Sequence, residues 1–272
     1  MKIGVLAFRG APAAREMWQP TADYLSRSIS GYHFKIIPLD LQGMRHAARE
    51  RSIDFVLTNP GNYVDLEARY GASRLATLRN FRQGKPYTEF GAVIFTRAGR
   101  NDIRELPDLK GKSFMAVGEN AFGGFQMAWR ELKELGVNPF DDFSRIEFTG
   151  FPQDNIVYAV RDGEVDAGTV RSDTLARMAQ EGKIELSGYR VLNERSSPGY
   201  PFSLSTRIYP EWPFARLSHT SEELGQLVAI ALLTLPVDSA VARAGKSAGW
   251  TIPLDYGPVH DLFRSLQIGP YE

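Results

Sequence analysis

Apolar runs of strand length alternate with amphipathic helical stretches along residues 1–90, and this alternation constrains the fold more than any single motif. Residues 3–8 form the first such run. A helix follows through Met17, Trp18, Ala22, Tyr24 and Leu25, with Pro20 bending it or sitting in an early turn. Residues 34–39 read as the second strand and residues 53–58 as the third. Between them Asp40 is placed to cap a helix through Met44, Ala47 and Ala48. Pro60 then opens a helix through Tyr63, Leu66 and Tyr70. This βαβα rhythm predicts a mostly parallel sheet with helices on both faces.

A second unit of the same kind begins after Arg97, with strands at 113–117, 146–149 and 165–170 and helices at 124–135, 155–160 and 172–179. The segment between the units, residues 90–97, is strand-like rather than a Gly/Ser linker. A later strand at 202–208 sits among Pro198, Pro201, Pro210 and Pro213, and helices at 222–235, 239–244 and 259–266 close the chain. The fold expected is α/β, with two doubly wound lobes joined by two strand-like hinge crossings. Lobe one takes residues 1–90 plus 205–272 and lobe two takes residues 91–204. Ligands of open α/β sheets sit beyond the carboxyl ends of strands, so this reading expects a ligand cleft between the lobes.

Several function classes drop out. Lys plus Arg and Asp plus Glu are both 32, and a formal net charge of zero argues against a nucleic-acid footprint or a polybasic membrane surface. With no cysteine there is no disulfide, thiolate zinc site, Fe–S cluster or cysteine nucleophile. His33, His46, His219 and His260 lack metal-ligand spacing on one element. There is no G-x-S-x-G elbow, H-E-x-x-H or Walker loop. Asp141 and Asp142 read as solvated turn residues. No catalytic residue, metal or cofactor is expected, and the chain reads as a binding protein rather than an enzyme. No apolar run is long enough to span a bilayer. The first residues already read as a strand, which leaves a cytosolic chain or one whose leader is missing.

The residues that could hold a ligand follow the strand ends. Arg9, after strand one, can clamp an anion; a solvated loop arginine is the plainer alternative. After strand three, Thr58, Asn59 and Tyr63 offer polar atoms, and Thr58 or Asn59 can equally cap the next helix. In lobe two the run Val117-Gly118-Glu119-Asn120-Ala121-Phe122-Gly123-Gly124-Phe125 joins a short strand to an amphipathic helix. Such a junction gathers backbone N–H groups around an anion without catalytic side chains. Asn120, Gly123 and Gly124 belong to that cradle, with Phe122 as a cleft wall and Phe125 in the core. Asp154 is expected to cap its helix while Gln153 reaches a ligand. Thr169 and Arg171 end the last strand of lobe two. A ligand or cross-cleft role is preferred for Arg171 over an ion pair with a nearby carboxylate.

Four stretches together resemble the phosphate/phosphite/phosphonate-type periplasmic binding proteins. They are the run Trp18 to Leu25, the strand Asp54 to Pro60, the run Ile103 to Lys112 and the run Asp162 to Gly168. The closing segment Gly249 to His260, with Thr169-Val170-Arg171, is similar to the extracytoplasmic sensor domains of bacterial histidine kinases, tetrathionate-type sensors included. The resemblance implies a type II periplasmic-binding-protein fold, a periplasmic location and a small ligand, anionic in kind. It also implies a membrane helix and a kinase module in the full-length parent, and it allows a homodimer. Lobe closure would then carry the signal. Phosphonate-binding members carry a Ser-Thr-Ser-Gly loop where this chain has Ala121-Phe122-Gly123-Gly124, and a family histidine corresponds to Gln153. Each lost hydroxyl contact to a charged oxygen is worth about 1.5–3 kcal/mol, which argues against phosphonate as the ligand. Two rival readings are a solute-binding subunit of an ABC importer, which needs a leader or a lipidated cysteine, and an enzyme on the same fold.

Overall fold

Along the chain the elements are β1 (Lys2–Leu6), α1 (Ala11–Ser28), β2 (Lys35–Leu39), α2 (Leu41–Arg49), β3 (Phe55–Leu57), α3 (Pro60–Tyr70), β4 (Ser73–Arg82), β5 (Lys85–Tyr87), β6 (Glu89–Phe90) and β7 (Ala92–Arg97). There follow β8 (Ser113–Ala116), α4 (Met127–Glu134), α5 (Pro139–Asp142), β9 (Arg145–Phe148), α6 (Asp154–Asp162), β10 (Ala167–Arg171), α7 (Thr174–Gln180), β11 (Tyr189–Leu192), β12 (Arg195–Ser197) and β13 (Tyr200–Leu204). The chain ends with β14 (Tyr209–Pro210), β15 (Pro213–Arg216), α8 (Glu222–Leu233), α9 (Ala240–Ala244), β16 (Ser247–Thr251) and α10 (Gly257–Leu266). This computed structural model describes residues 1–272 and divides into two units. Unit one holds Met1–Glu89, Pro210–Phe263 and Gln267–Glu272; unit two holds Phe90–Tyr209 and Arg264–Leu266.

Unit one is built on a sheet of order β16-β4-β15-β3-β1-β2, with β5 added beside β4. Only β1, β2 and β3 run parallel; β4, β15 and β16 pair antiparallel. The sheet is therefore mixed, not mostly parallel, because the C-terminal segment returns to it as β15 and β16 rather than as helices alone. Its core joins Ile3, Val5 and Phe55 of the strands to Trp18, Ala22 and Leu25 of α1 and to Leu224, Val228 and Leu232 of α8. Pro20 is accommodated inside α1, which already begins at Ala11.

Unit two is a five-stranded sheet of order β11-β7-β10-β8-β9, parallel among β8, β9 and β10 and antiparallel at β7. Strand alternation sends its residues to two cores. Phe95, Met115 and Val170 meet Ile156, Val160 and Met178 of α6 and α7 on one face. Ile94, Phe114 and Ala167 meet Phe125, Ala128 and Leu132 on the other. The chain enters unit two at β6 and leaves it at β14, and these two short strands pair with each other. Ser205 stays with unit two because its hydroxyl accepts the Ile94 N–H at 2.8 Å and donates to the Leu192 carbonyl at 2.6 Å. No helix is long and apolar enough to cross a membrane.

Candidate ligand site

In unit one the strand-end residues are largely occupied by the protein itself. Asn59 caps α3, its side chain accepting the Asn62 N–H at 2.8 Å, with Pro60 in the first turn. Thr58 is fully buried and donates to Asn62 Oδ1 at 2.8 Å. Tyr63 is fully buried as well, its hydroxyl donating to Glu67 at 2.6 Å and its ring edge-on to Tyr256. Burial, with Glu67 second, pushes the Tyr63 hydroxyl well above the ordinary phenol range. Arg9 is exposed after β1 and lies over the Phe8 ring, which in turn meets Trp212 edge-on.

In unit two the junction after β8 has a different construction. Residues Phe122–Gln126 form a single π-helical turn that runs directly into α4, and Ala121 at its start gives no side-chain cap. First-turn amides have no partner inside their own helix, and here they belong to residues 122–125. The glycines are required by packing. A Cβ on Gly123 would stand 2.7 Å from the Phe90 ring, and one on Gly124 would stand 2.6 Å from Val117 Cγ2. Phe122 takes a core position instead of walling an open surface: it is 1% exposed and packs edge-on against Phe90 and Tyr209. Asn120 is an exposed turn residue.

Around that junction the ends of β9 and β10 bring further groups together. Arg171 lies 4.0 Å from the Phe90 ring centroid and its Nε donates to Asp173 at 2.7 Å, so the ion pair weighed as its alternative role is present. The backbone N–H of Arg171 donates to Gln153 Oε1 at 2.7 Å, tying the β9 loop to the end of β10. Asp154 does not cap α6; it pairs with Arg177 and Lys183 while Gln153 precedes the first turn. Thr169 is fully buried, and its hydroxyl has no partner in the protein. Strand alternation puts it on the Ala167 face of β10, the face that packs against Phe125 and Ala128.

Sequence reasoning missed Phe90, Ser172 and Tyr200. Phe90 stacks under Arg171, while Ser172 accepts the Gly91 N–H and shares a 2.6 Å hydrogen bond with Tyr200. Arg9, Thr58, Asn59 and Tyr63 belong to unit one; Asn120, Phe122, Gly123, Gly124, Gln153, Thr169 and Arg171 belong to unit two. Unit two thus holds first-turn amides without a side-chain cap and a guanidinium paired with Asp173. No group of His, Cys, Asp or Glu is arranged to hold a metal ion.

The model of a family described as "ABC transporter, phosphonate, periplasmic substrate-binding protein" matches residues 3–255. The tetrathionate sensor histidine kinase TtrS of Salmonella typhimurium is 37% identical over 271 residues, covering 99% of this chain and 44% of that protein. The chain thus spans less than half the length of this relative. Among solved structures, XAC2383 from Xanthomonas citri bound to chloride has a TM-score of 0.74 at 19% identity, covering 98% of this chain and 97% of that one. PhnD1 from Prochlorococcus marinus in complex with methylphosphonate has a TM-score of 0.73 at 15% identity, covering 98% of both chains. At these identities the structural likeness shows the fold, type II periplasmic-binding-protein in kind.

Proposed function

The chain belongs to the phosphonate family of periplasmic substrate-binding proteins, and from that premise we propose that it is the extracytoplasmic sensing part of a two-component histidine kinase. Its ligand is a small anion held at the strand carboxyl ends. The single observation that carries the sensing role is the 37% identity to a sensor kinase over 99% of this chain. A membrane helix and a kinase module in the parent protein, a periplasmic location and a receptor homodimer belong to the same proposal. The family is one of substrate-binding proteins.

The site favours one class of anion. Phosphonate recognition draws on hydroxyl donors, and residues 121–124 carry none. Amide N–H groups of the first turn, with Arg171 beside an aromatic ring, suit a weaker acceptor of lower charge density. A thionate, with terminal sulfonates on an apolar sulfur chain, fits that description, and tetrathionate is the proposed ligand. A solute-binding role in an ABC importer is the second reading, favoured by the description of the family itself.

Calorimetry and thermal unfolding against tetrathionate, methylphosphonate and chloride test the proposal. Tetrathionate at a hundred times its Kd should add about 2.7 kcal/mol of stability and raise Tm. If methylphosphonate alone binds, the importer reading takes its place. If none of the three shifts Tm, small-anion sensing is contradicted.

A further inference from the structure

At the end of the unit-one sheet opposite Thr58 and Asn59, the surface carries an arginine-rich pocket. It has a volume of ≈ 400 Å³ and is lined by Arg49, Arg51, Arg69, Tyr70, Ser218 and His219 among others. Its own lining holds no carboxylate, but Glu50 and Asp65 pair with Arg49 and Arg69, and Asp54 stands 3.9 Å from His219, which leaves Arg51 as its unpaired cation. It sits at the edge of the sheet where β3 and β4 begin and β15 ends, as the register of Arg216 with Phe55 and Ser73 fixes. Thr58 and Asn59 follow the opposite end of β3.

The dipole of a helix favours cations at its C-terminus, and this accounts for Arg49 and Arg69 in the last turns of α2 and α3. Arg51 directly follows the α2 C-cap Glu50, while Ser218 and His219 lie outside both helices. The side chains of Arg51, Tyr70 and Ser218 make no hydrogen bond within the protein. Arg51 holds this position with a left-handed backbone, φ 52°, that a glycine would adopt more easily. The other cations are pre-positioned. Arg69 is fixed by Asp65 at 2.7 Å and by the Gly269 carbonyl, and Arg49 by Glu50 at 3.0 Å and His46 at 3.1 Å. Held guanidiniums lose little freedom when they bind a phosphate oxygen, and their planar forks suit that geometry.

We propose that this cavity is a second anion site, independent of the strand-end ligand, that binds a phosphate group bearing a further substituent. The volume exceeds what a lone oxyanion fills. A soluble diphosphate and the headgroup of an anionic phospholipid present the same chemistry. Neither source depends on the sensing role proposed above.

Calorimetry with pyrophosphate, and co-sedimentation with vesicles of phosphatidylglycerol or of phosphatidylcholine, test it. Arg49→Ala with Arg51→Gly removes two guanidiniums and leaves a glycine where φ is positive. The expected result is pyrophosphate binding that weakens with salt and falls ~tenfold or more in the double variant. Sedimentation with phosphatidylglycerol but not phosphatidylcholine assigns the site to membrane lipid; pyrophosphate binding without sedimentation assigns it to a soluble ligand. If the double variant melts below the wild type, Arg51→Gly alone carries the comparison. Pyrophosphate affinity unchanged by the substitutions places that binding elsewhere and overturns the proposal. So does an absence of binding to both pyrophosphate and vesicles.

Discussion

After β3 the chain enters α3 through Asn59, whose side chain takes the Asn62 amide, with Pro60 in the first turn. After β8 it enters its helix through Ala121, which caps nothing, and the first turn widens to a π-turn on Gly123 and Gly124. Both junctions sit at the carboxyl end of a strand, where open α/β sheets bind ligands. One satisfies a first-turn donor with its own side chain. The other leaves its first-turn donors without a side-chain cap. The difference teaches that the proposed anion cradle is set apart by the cap it lacks. Glycine content alone does not make one, since both glycines here are dictated by neighbouring side chains.

The largest expected effect comes from crowding the second junction. Gly124→Ala sets a Cβ 2.6 Å from Val117 Cγ2 and should cost about 2–3 kcal/mol in denaturant unfolding. A cost near zero would mean that the π-turn relaxes freely and that its shape is not fixed by packing.

Next is an acid-side effect within unit two. Burial alone would raise the Asp166 carboxyl. The Ser113 N–H, the Arg100 guanidinium and the Ser113 hydroxyl outweigh it and hold that carboxyl below the ordinary aspartate range. A depressed folded-state pKa gives stability that is present above the ordinary aspartate value and is lost as pH falls below it. Asp166→Asn should therefore cost about 1.5 kcal/mol at neutral pH and flatten the acid limb of a stability–pH curve. An unchanged acid limb would remove Asp166 from the account.

The smallest pair inverts the two junctions. Asn59→Ala removes the cap of α3 and should cost about 1 kcal/mol; Ala121→Ser adds one to the second junction and should gain about 0.5 kcal/mol. Ala121→Ser also restores the first hydroxyl of the family loop, so it should shift anion preference from tetrathionate toward methylphosphonate. If it stabilises the protein without touching either affinity, the first-turn amides are not the cradle.

Much of this was legible in the residues. The apolar runs at β1, β2 and β3, the Asp40 cap and the Asn59 cap follow from local chemistry. Strand β4 was missed because Arg74, Arg79 and Asn80 break its apolar pattern, and β16 because Ser247, Gly249 and Thr251 leave it only two apolar residues. The mixed sheet of unit one depends on long-range returns that local periodicity does not encode. Around the candidate site, two side chains stand otherwise than the sequence suggests. Phe122 stands where family hydroxyls stand, yet Phe90 and Tyr209 enclose it. Asp154 has the composition of a cap, yet Arg177 and Lys183 take its carboxylate. Partners distant in sequence decided both.

The most direct test of the central claim is an amide-resolved NMR titration with tetrathionate. The account predicts that the largest shifts fall on the N–H groups of residues 122–125, with Arg171→Lys weakening the titration about tenfold through loss of the planar guanidinium. Saturable binding that leaves those four amides unmoved would contradict it.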